Sequence, residues 1–376
     1  MAKAQPTFSL KDQLFNPDSL GDLADEFAAG VPGFDRAAFH AAAVSGIAER
    51  TLLECLDWFA DCAEPYLAAD FPTMAAQLEA AMPPPLDPSL RDDDFGRFIH
   101  AVPGVLAVRH GLEAHRDRAL DLLWAATQRF SMEFYIRAFL NRWPDETLAR
   151  LEAWAGDDNY HVRRLVSEGT RPKLPWARKV EVTPAQVLPL LDRLQADSTR
   201  FVTRSVANHL NDLAKDDPDT VLARLEAWDA DGTQAPAERA WMRRHALRTL
   251  IKDGHPGAMA MLGYAQDVPV EVSLDVPAPQ VALGEALAFE VTLRADQDLP
   301  VIVDYRIRFA RPGGKSGEKV FKLKVGQVRR GKPLVLKKLH KLKANATTFE
   351  LHPGQHGLVV QVNGVDRAEG MFEIVK

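Results

Sequence analysis

Glu168 stands where a helical run breaks. The stretch from His161 to Ala177 reads HVRRLVSEGTRPKLPWA, and Gly169 and Pro172 stop the helix directly after the carboxylate. The loop beyond carries Arg171, Lys173, Pro175 and Trp176. A carboxylate at a helix end, ringed by cations and one indole, suits the stabilisation of a cationic centre, and the indole face can hold a cation. The same residues also make ordinary ion pairs, with Glu168 bonded to Arg164 one turn back or to Arg171. Downstream, SVANHLND puts Asn208 and Asp212 on one helix face, with His209 and Asn211 elsewhere on the helix. Polar groups this dense need partners in a neighbouring helix or in a ligand. Upstream, Glu133 opens the expected helix MEFYIRAFL, where an acid is ordinarily a partner of the N-terminal dipole.

Other chemistries find no support. The chain has no GxxxxGK[ST], no GxGxxG after a strand, and no HExxH, CxxC or GxSxG. The eleven histidines show no ligand spacing, so no metal is expected. GGKSGEK at Gly313 lacks the spacing and following helix of a phosphate loop and reads as a hairpin turn. Cys55 and Cys62, seven apart on one helix face, read as buried thiols.

The elements that must position Glu168 repeat. HVRRLVSEG starts at His161, FVTRSVANHLND at Phe201 and WMRRHALRTLIKDG at Trp241, each 40 residues after the last. TLARLEAW at Thr147 and VLARLEAW at Val221 recur too, with VLPLLDRL at Val187 between them. A two-helix unit of this period is the size of a HEAT or armadillo repeat, and such hairpins bury their apolar faces only by stacking into a solenoid. Val162, Val202 and Met242 should then face the core. Arg164, Arg204 and Arg244 would recur on one face, as a guanidinium ladder for phosphates or as partners of acids in the next repeat.

Helical periodicity continues to about Tyr264, as in ERTLLECLDWFADCAEPYL and ALDLLWAATQRF, broken by MPPPLDPSLRDDD. From Val268 the pattern alternates: VEVSLDV, LAFEVTLRA, VIVDYRIRFA, KVFKLKV, LVLKKL, TTFELH, GLVVQV and MFEIV. Eight short strands with Gly, Pro and Asn turns imply a β-sandwich. The expected organisation is a mainly α chain, with a HEAT-like helical repeat solenoid over residues 1–266 followed by an all-β sandwich over 267–376.

Charge is distributed unevenly. The net charge is −6, but the part from Val268 onward holds 17 Lys+Arg against 12 Asp+Glu, a balance of +5 that leaves −11 on the rest. Arg306 to Lys343 carries 14 basic residues and one acid, Glu318, including Arg329, Arg330, Lys337 and Lys338. A second basic region runs from His161 to Lys179 around Arg163, Arg164, Arg171, Lys173, Arg178 and Lys179. Local basic surfaces on an acidic body suit a polyanion bound on one side. No apolar run reaches the roughly 18 residues of a membrane span, and MAKAQPTFSLKDQ lacks a signal-peptide core. The expectation is a cytoplasmic protein with no membrane partner.

The phrases RRLVSEGTRPKLPWA and SVANHLNDLAK closely resemble the AlkC family of DNA alkylation-repair glycosylases, relatives of AlkD. The resemblance runs from LKDQLFNPDSLGDLADEF at Leu10 to about Tyr264, and some AlkC-type proteins carry a C-terminal immunoglobulin-like domain. It implies a bacterial, cofactor-free enzyme that excises cationic bases such as 3-methyladenine and 3-methylcytosine from duplex DNA; with no well-placed Lys nucleophile the enzyme is expected to be monofunctional, and a solenoid with a clamp suggests a monomer. The resemblance implies Glu168 as the essential carboxylate, Trp176 as the aromatic near the lesion, and Glu133 and Asp212 as further acids of the cleft. DNA would be gripped by Arg163, Arg164, Arg171, Lys173, Arg204, Asn208 and Arg244, and by Arg329, Arg330, Lys337 and Lys338 of an immunoglobulin-like second DNA clamp. A nonenzymatic nucleic-acid binder or a protein-interaction scaffold of HEAT repeats would account for the repeats, and the binder also for the basic regions, but neither for Glu168.

Overall fold

The computed structural model describes residues 9–90, 92, 94–310, 316–343 and 351–375. The chain divides into two compact units, Met1–Leu213 with Ala227–Ala246, and Ala214–Glu226 with Leu247–Lys376.

The first unit is helical. Its helices are α1 (Leu10–Leu14), α2 (Pro17–Gly30), α3 (Arg36–Ser45), α4 (Leu52–Ala63), α5 (Phe71–Ala80), α6 (Val102–Leu106), α7 (Arg116–Thr127), α8 (Ile136–Arg142), α9 (Pro144–Trp154), α10 (Tyr160–Gly169), α11 (Pro184–Leu194) and α12 (Arg200–Leu213). α13 (Pro218–Asp231) is divided between the units, and α14 (Pro236–Ala246) belongs to the first. Several starts are dictated locally. Asn16, Thr51 and Thr183 form capping boxes with Ser19, Glu54 and Gln186. Proline occupies the first turn of α2, α9 and α11, where its missing N–H costs nothing. No helix among the described residues is long and apolar enough to cross a membrane.

The second helices of the repeated units lie side by side, α10 on α12 and α12 on α14. The positions expected to face the core do so, with Val162, Val202 and Met242 buried. Leu151, Trp154, Leu225 and Trp228 of the recurring LARLEAW phrase are buried as well. The helix expected from Glu133 begins later, at Ile136. Glu133 lies in the preceding turn, two residues ahead of the N-cap Tyr135, and its carboxylate accepts from Ser131 and Arg164. Cys55 and Cys62 are buried free thiols, and burial raises both, Cys62 to about 11.

Among its described residues the second unit holds two short helices, α15 (Arg248–Lys252) and α16 (Pro256–Met261), and eight strands. The strands are β1 (Val270–Asp275), β2 (Gln280–Ala282), β3 (Ala286–Ala295), β4 (Leu299–Ala310), β5 (Ser316–Val328), β6 (Leu334–Lys341), β7 (Gly354–Val362) and β8 (Val365–Val375). They form a three-stranded sheet, β1-β3-β6, and a five-stranded sheet, β2-β8-β7-β4-β5. Among the described residues all strand pairings are antiparallel except β2 with β8. Alternate residues of both sheets, among them Leu287, Phe289, Val291, Val303, Tyr305, Ile307, Leu358 and Val360, enclose one apolar core. The expected strand TTFELH lies outside the described residues except for Leu351 and His352, which are not in a strand. The expected turn at Gly313 lies outside them as far as Lys315.

Contacts place the start of this unit upstream of the change in pattern at residue 266. Asn363, in the β7–β8 turn, donates from Nδ2 to Ala265 O (2.7 Å). Gln266 Nε2 donates to Gly254 O (2.7 Å) and Asn363 O (3.1 Å). Gly254 and Gly364, both at positive φ, approach so closely that a Cβ on Gly364 would lie 2.4 Å from Gly254 Cα. The segment after Leu247 is thereby fastened to the strands.

Candidate active site

At Gly169, the last residue of α10, the neighbouring helix leaves no room for a side chain. A Cβ on Gly169 would lie 2.5 Å from Ile136 Cγ2 of α8. The carbonyls freed at a helix end must find donors, and α8 supplies them. Buried Arg137 donates from Nη1 to Gly169 O (3.0 Å) and Arg171 O (2.8 Å), and from Nε to Arg178 O (2.5 Å). One turn on, Asn141 donates to Lys179 O (2.9 Å) and accepts from Glu181 N (3.0 Å). Both ends of the loop from Thr170 to Glu181 are thus tied to one helix. Desolvation lowers Arg137 to about 10, with Arg171 adding to the effect.

Around this helix end the three carboxylates form one network with two guanidinium groups. Arg171 donates from Nη1 to Glu168 Oε1 (2.5 Å) and from Nε to Asp212 Oδ2 (3.0 Å). Arg164 donates from Nη1 to Glu133 Oε2 (3.0 Å), and its Nη2 lies 3.8 Å from Glu168 Oε2. Ser205 Oγ donates to Glu168 Oε2 (2.5 Å), and Ser131 Oγ to Glu133 Oε2 (2.7 Å). The side chains of Glu168 and Asp212 are 5% and 3% exposed. Arg164 also lies over the Phe201 ring, 4.5 Å from its centroid.

The two glutamates titrate in opposite directions. Burial raises Glu133, and the Glu168 charge adds to this more than Ser131 relieves it, with Arg164 pulling the other way. Burial would raise Glu168 as well. There Arg164 and Arg171, with hydrogen bonds from Ser205 and Arg171, outweigh it and hold the carboxyl below its usual range. Paired acids pushed apart in this way are a mark of functional carboxylates.

The other expected site residues are dispersed. Trp176 takes part in none of the network's contacts. It is 67% exposed, holds a left-handed backbone (φ 62°), and lines a groove of about 270 Å³ with Asp57, Arg109, Phe134 and Tyr135. Such a conformation is strained for a bulky residue and is typically kept at functional positions. Arg163, expected on phosphate, is instead a structural link, donating to Asp197 (2.5 and 3.1 Å) and to Asp157 O (2.7 Å). Arg171 is buried between carboxylates and so cannot grip a backbone phosphate as it stands. Arg164 and Arg204 pair with acids, Arg204 with Asp92, and so take the ion-pair alternative for the ladder. Asn208 Oδ1 lies 2.9 Å from His245 Nε2. Lys173 and Arg244 are exposed.

In the β unit Arg329 pairs with Asp298 (3.0 Å), the Arg330 backbone N–H donates to the same carboxylate (2.8 Å), and Lys337 lies 3.4 Å from Glu290. Lys338 is half-buried on edge strand β6. Arg306 and Arg308 are met by Glu318 and Asp366. The 14-to-1 run in sequence is therefore partly neutralised in space. Among the described residues, no group of three or more His, Cys, Asp or Glu side chains could hold a metal.

Sequence reasoning missed Arg137, Ser205 and Asp197. Only Asp197 left a trace, since it stands 40 residues after Asp157 and four before the Phe201 phrase, in step with the repeats.

Comparison with known proteins bears on this same region. Residues 122–250 match a family described as DNA alkylation repair enzyme. Residues 271–376 match the C-terminal Ig-like domain of the uncharacterised protein YhaZ. YhaZ of Bacillus subtilis is 34% identical over 260 residues, covering 68% of this chain and 71% of that protein. The solved structure of Pseudomonas fluorescens alkylpurine DNA glycosylase AlkC, bound to DNA containing an abasic site analog, superposes with a TM-score of 0.86. It is 32% identical, over 98% of this chain and 100% of that one.

Proposed function

The chain belongs to the AlkC-type family of DNA alkylation-repair glycosylases, and on that premise we propose that it removes cationic N-alkylated bases, 3-methyladenine and 3-methylcytosine among them, from duplex DNA. The observation that carries the reading is the network of Glu133, Glu168 and Asp212 gathered by Arg164 and Arg171 at the broken end of α10.

A base already made cationic leaves as a neutral molecule, so no strong general acid is needed. As the C1′–N bond breaks, its electron pair goes to the base and positive charge spreads over the sugar. Ionised Glu168 stabilises that charge and, with Asp212, orients the water whose oxygen bonds to C1′. The water's proton passes to a carboxylate and then to solvent, and an abasic site remains. Of Glu168's partners, Arg164 is the most distant at 3.8 Å. A backbone phosphate competing for Arg164 would remove one of the two cations that balance the carboxylate and leave more of its charge to the sugar. The exposed face of Trp176 suits a cationic base or sugar, and neutral bases gain neither that attraction nor the leaving-group advantage.

The 40-residue repetition, with α10, α12 and α14 side by side, supports a HEAT-like stack over the part of the helical unit from Thr147 to Ala246. Within the first unit exposed Lys173 and Arg244, with Asn208, are the candidate phosphate contacts, and within the second exposed Arg329, Arg330 and Lys337, with Lys338. Residues 267–376 then form a second DNA-contacting domain.

A second reading has one observation in its favour. Both oxygens of Glu168 are already bonded, as in a purely structural ion pair. The test is chromatographic release of bases from methylated duplex DNA beside duplex carrying a neutral lesion. Release of 3-methyladenine or 3-methylcytosine, with the neutral lesion retained, supports the glycosylase. Absence of any released base from a folded, DNA-binding protein would leave the structural role.

A further inference from the structure

Across the packed faces of α10 and α12, two small polar residues meet. Ser167 and Ser205 are both buried, with their Oγ atoms 3.0 Å apart. Ser205 Oγ is also 2.5 Å from Glu168 Oε2. Each hydroxyl has a single proton, and an ionised carboxylate only accepts. The Ser205 proton is therefore committed to Glu168, and the Ser167 hydroxyl must donate to Ser205. Behind them, the Ser167 carbonyl accepts from His209 Nδ1 (3.1 Å), which fixes that ring as the Nδ1–H tautomer. Burial holds the ring neutral, its pKa lowered to about 4. The hydroxyl donors run in one direction, Ser167 to Ser205 to Glu168, and consecutive bonds of this kind strengthen one another.

Packing alone does not call for these hydroxyls. Alanine would fill nearly the same space between two helices, without a buried group that must be satisfied. Here each hydroxyl has a partner only because the other and Glu168 are present. Glu168 Oε1 is held by Arg171 and Oε2 by Ser205, so the plane of the carboxylate is set from two sides, by α12 and by the loop after α10.

We propose that Ser205, with Ser167 behind it, is a positioning residue of the glycosylase site. Its hydroxyl fixes the orientation of Glu168 and favours the charged form that faces the developing sugar cation. This rests on the glycosylase reading given above. Without the hydroxyl, Oε2 is left to Arg164 at 3.8 Å, and the carboxylate turns toward that guanidinium.

The test uses the full chain as wild type, Ser205→Ala, Ser205→Thr and Glu168→Gln. Single-turnover excision from methylated duplex is measured against pH at saturating protein, with DNA affinity measured in parallel. The titration of the Glu168 carboxyl is followed by carbon-13 NMR without DNA. A hydrogen bond to a charged group is worth enough that Ser205→Ala should excise about tenfold more slowly. Its affinity should stay unchanged and its acid limb should move up by about one pH unit. Ser205→Thr, which keeps the hydroxyl, should recover most of the rate. The NMR midpoint of Glu168 should rise in Ser205→Ala. An active wild type and inactive Glu168→Gln, beside a Ser205→Ala variant with wild-type rate and limb, would overturn the proposal and leave the glycosylase reading intact. A wild type that releases no base would end the glycosylase reading, and with it the catalytic half of the proposal. An unmoved NMR midpoint in Ser205→Ala would then remove the other half, the hold on the Glu168 charge, whereas a raised midpoint would keep it.

Discussion

Arg171 is the residue whose loss should be felt most. Its guanidinium lies between Glu168 and Asp212, 2.5 Å from one carboxylate and 2.9 Å from the other, with all three side chains at most 10% exposed. Arg171→Met keeps much of the apolar stem and removes the charge. Glu168 then retains Ser205 and a guanidinium at 3.8 Å. Breaking a buried pair by deleting one partner costs about 3–5 kcal/mol. For a unit of this size each kcal/mol shifts the melting temperature by about 2–4 °C, so a fall of about 10 °C is expected near pH 8.

The pH dependence has a definite sign. In the wild type Glu168 sits below its unfolded value, so its contribution is present above the ordinary carboxylate range and is lost as pH falls through the lowered value. In Arg171→Met one of the two opposing cations is gone, burial dominates, and the folded carboxyl rises above the unfolded one. The variant's deficit should therefore shrink as the medium is acidified toward about pH 5, where the stranded carboxylate takes up a proton. Thermal denaturation followed by far-ultraviolet circular dichroism across this range reads the effect. A variant melting within about 2 °C of the wild type near pH 8, or a deficit that does not shrink in acid, would refute the reasoning.

Gly169→Ala should destabilise by about 1–3 kcal/mol, because its Cβ meets Ile136 Cγ2 at 2.5 Å. Combined with Ile136→Ala, whose own cost is that of a buried cavity, the total loss in denaturant unfolding should be smaller than the sum of the two single losses. A double-mutant cycle on Arg163 and Asp197 should give a coupling of about 1–3 kcal/mol. DNA affinity measured on the same proteins should change little, since this arginine is engaged within the fold. His161 and His209 are both held neutral by burial, at about 4 in the folded state. Their folded values lie below the unfolded one, so stability present above about pH 6.5 should be lost as pH falls toward 4. A folded His209→Gln variant should show a shallower decline of melting temperature over that interval.

What the sequence could carry was local or periodic. The end of α10 was legible because Gly169 and Pro172 are local signals, and the burial of Val162, Val202 and Met242 because the 40-residue repetition aligns them. The alternation after Val268 marked the strands, apart from β2, whose three residues are too few to show a period. Partners brought from other helices were not legible. Arg137 reads as one more basic residue of an amphipathic helix, yet it holds three carbonyls of a loop that begins more than thirty residues on. Ser205 is a small residue on a buried face, and only its position opposite Ser167 gives it a role. The basic residues were misjudged for a related reason. Composition counts charges, whereas Arg163, Arg171 and Arg204 are each matched by an acid distant in sequence. Glu133 was assigned to a helix start because MEFYIRAFL is apolar at helical spacing, but the backbone turns before Ile136 and directs the carboxylate to Arg164.

The most direct test of the central claim is single-turnover excision of 3-methyladenine or 3-methylcytosine by Glu168→Gln beside the wild type, with duplex affinity measured on both. Glutamine keeps the volume and one acceptor but carries no charge. The account predicts a folded variant that binds DNA about as well as the wild type and excises at least about a hundredfold more slowly, the scale on which a group stabilising transition-state charge acts. Excision at the wild-type rate by a folded Glu168→Gln would contradict it.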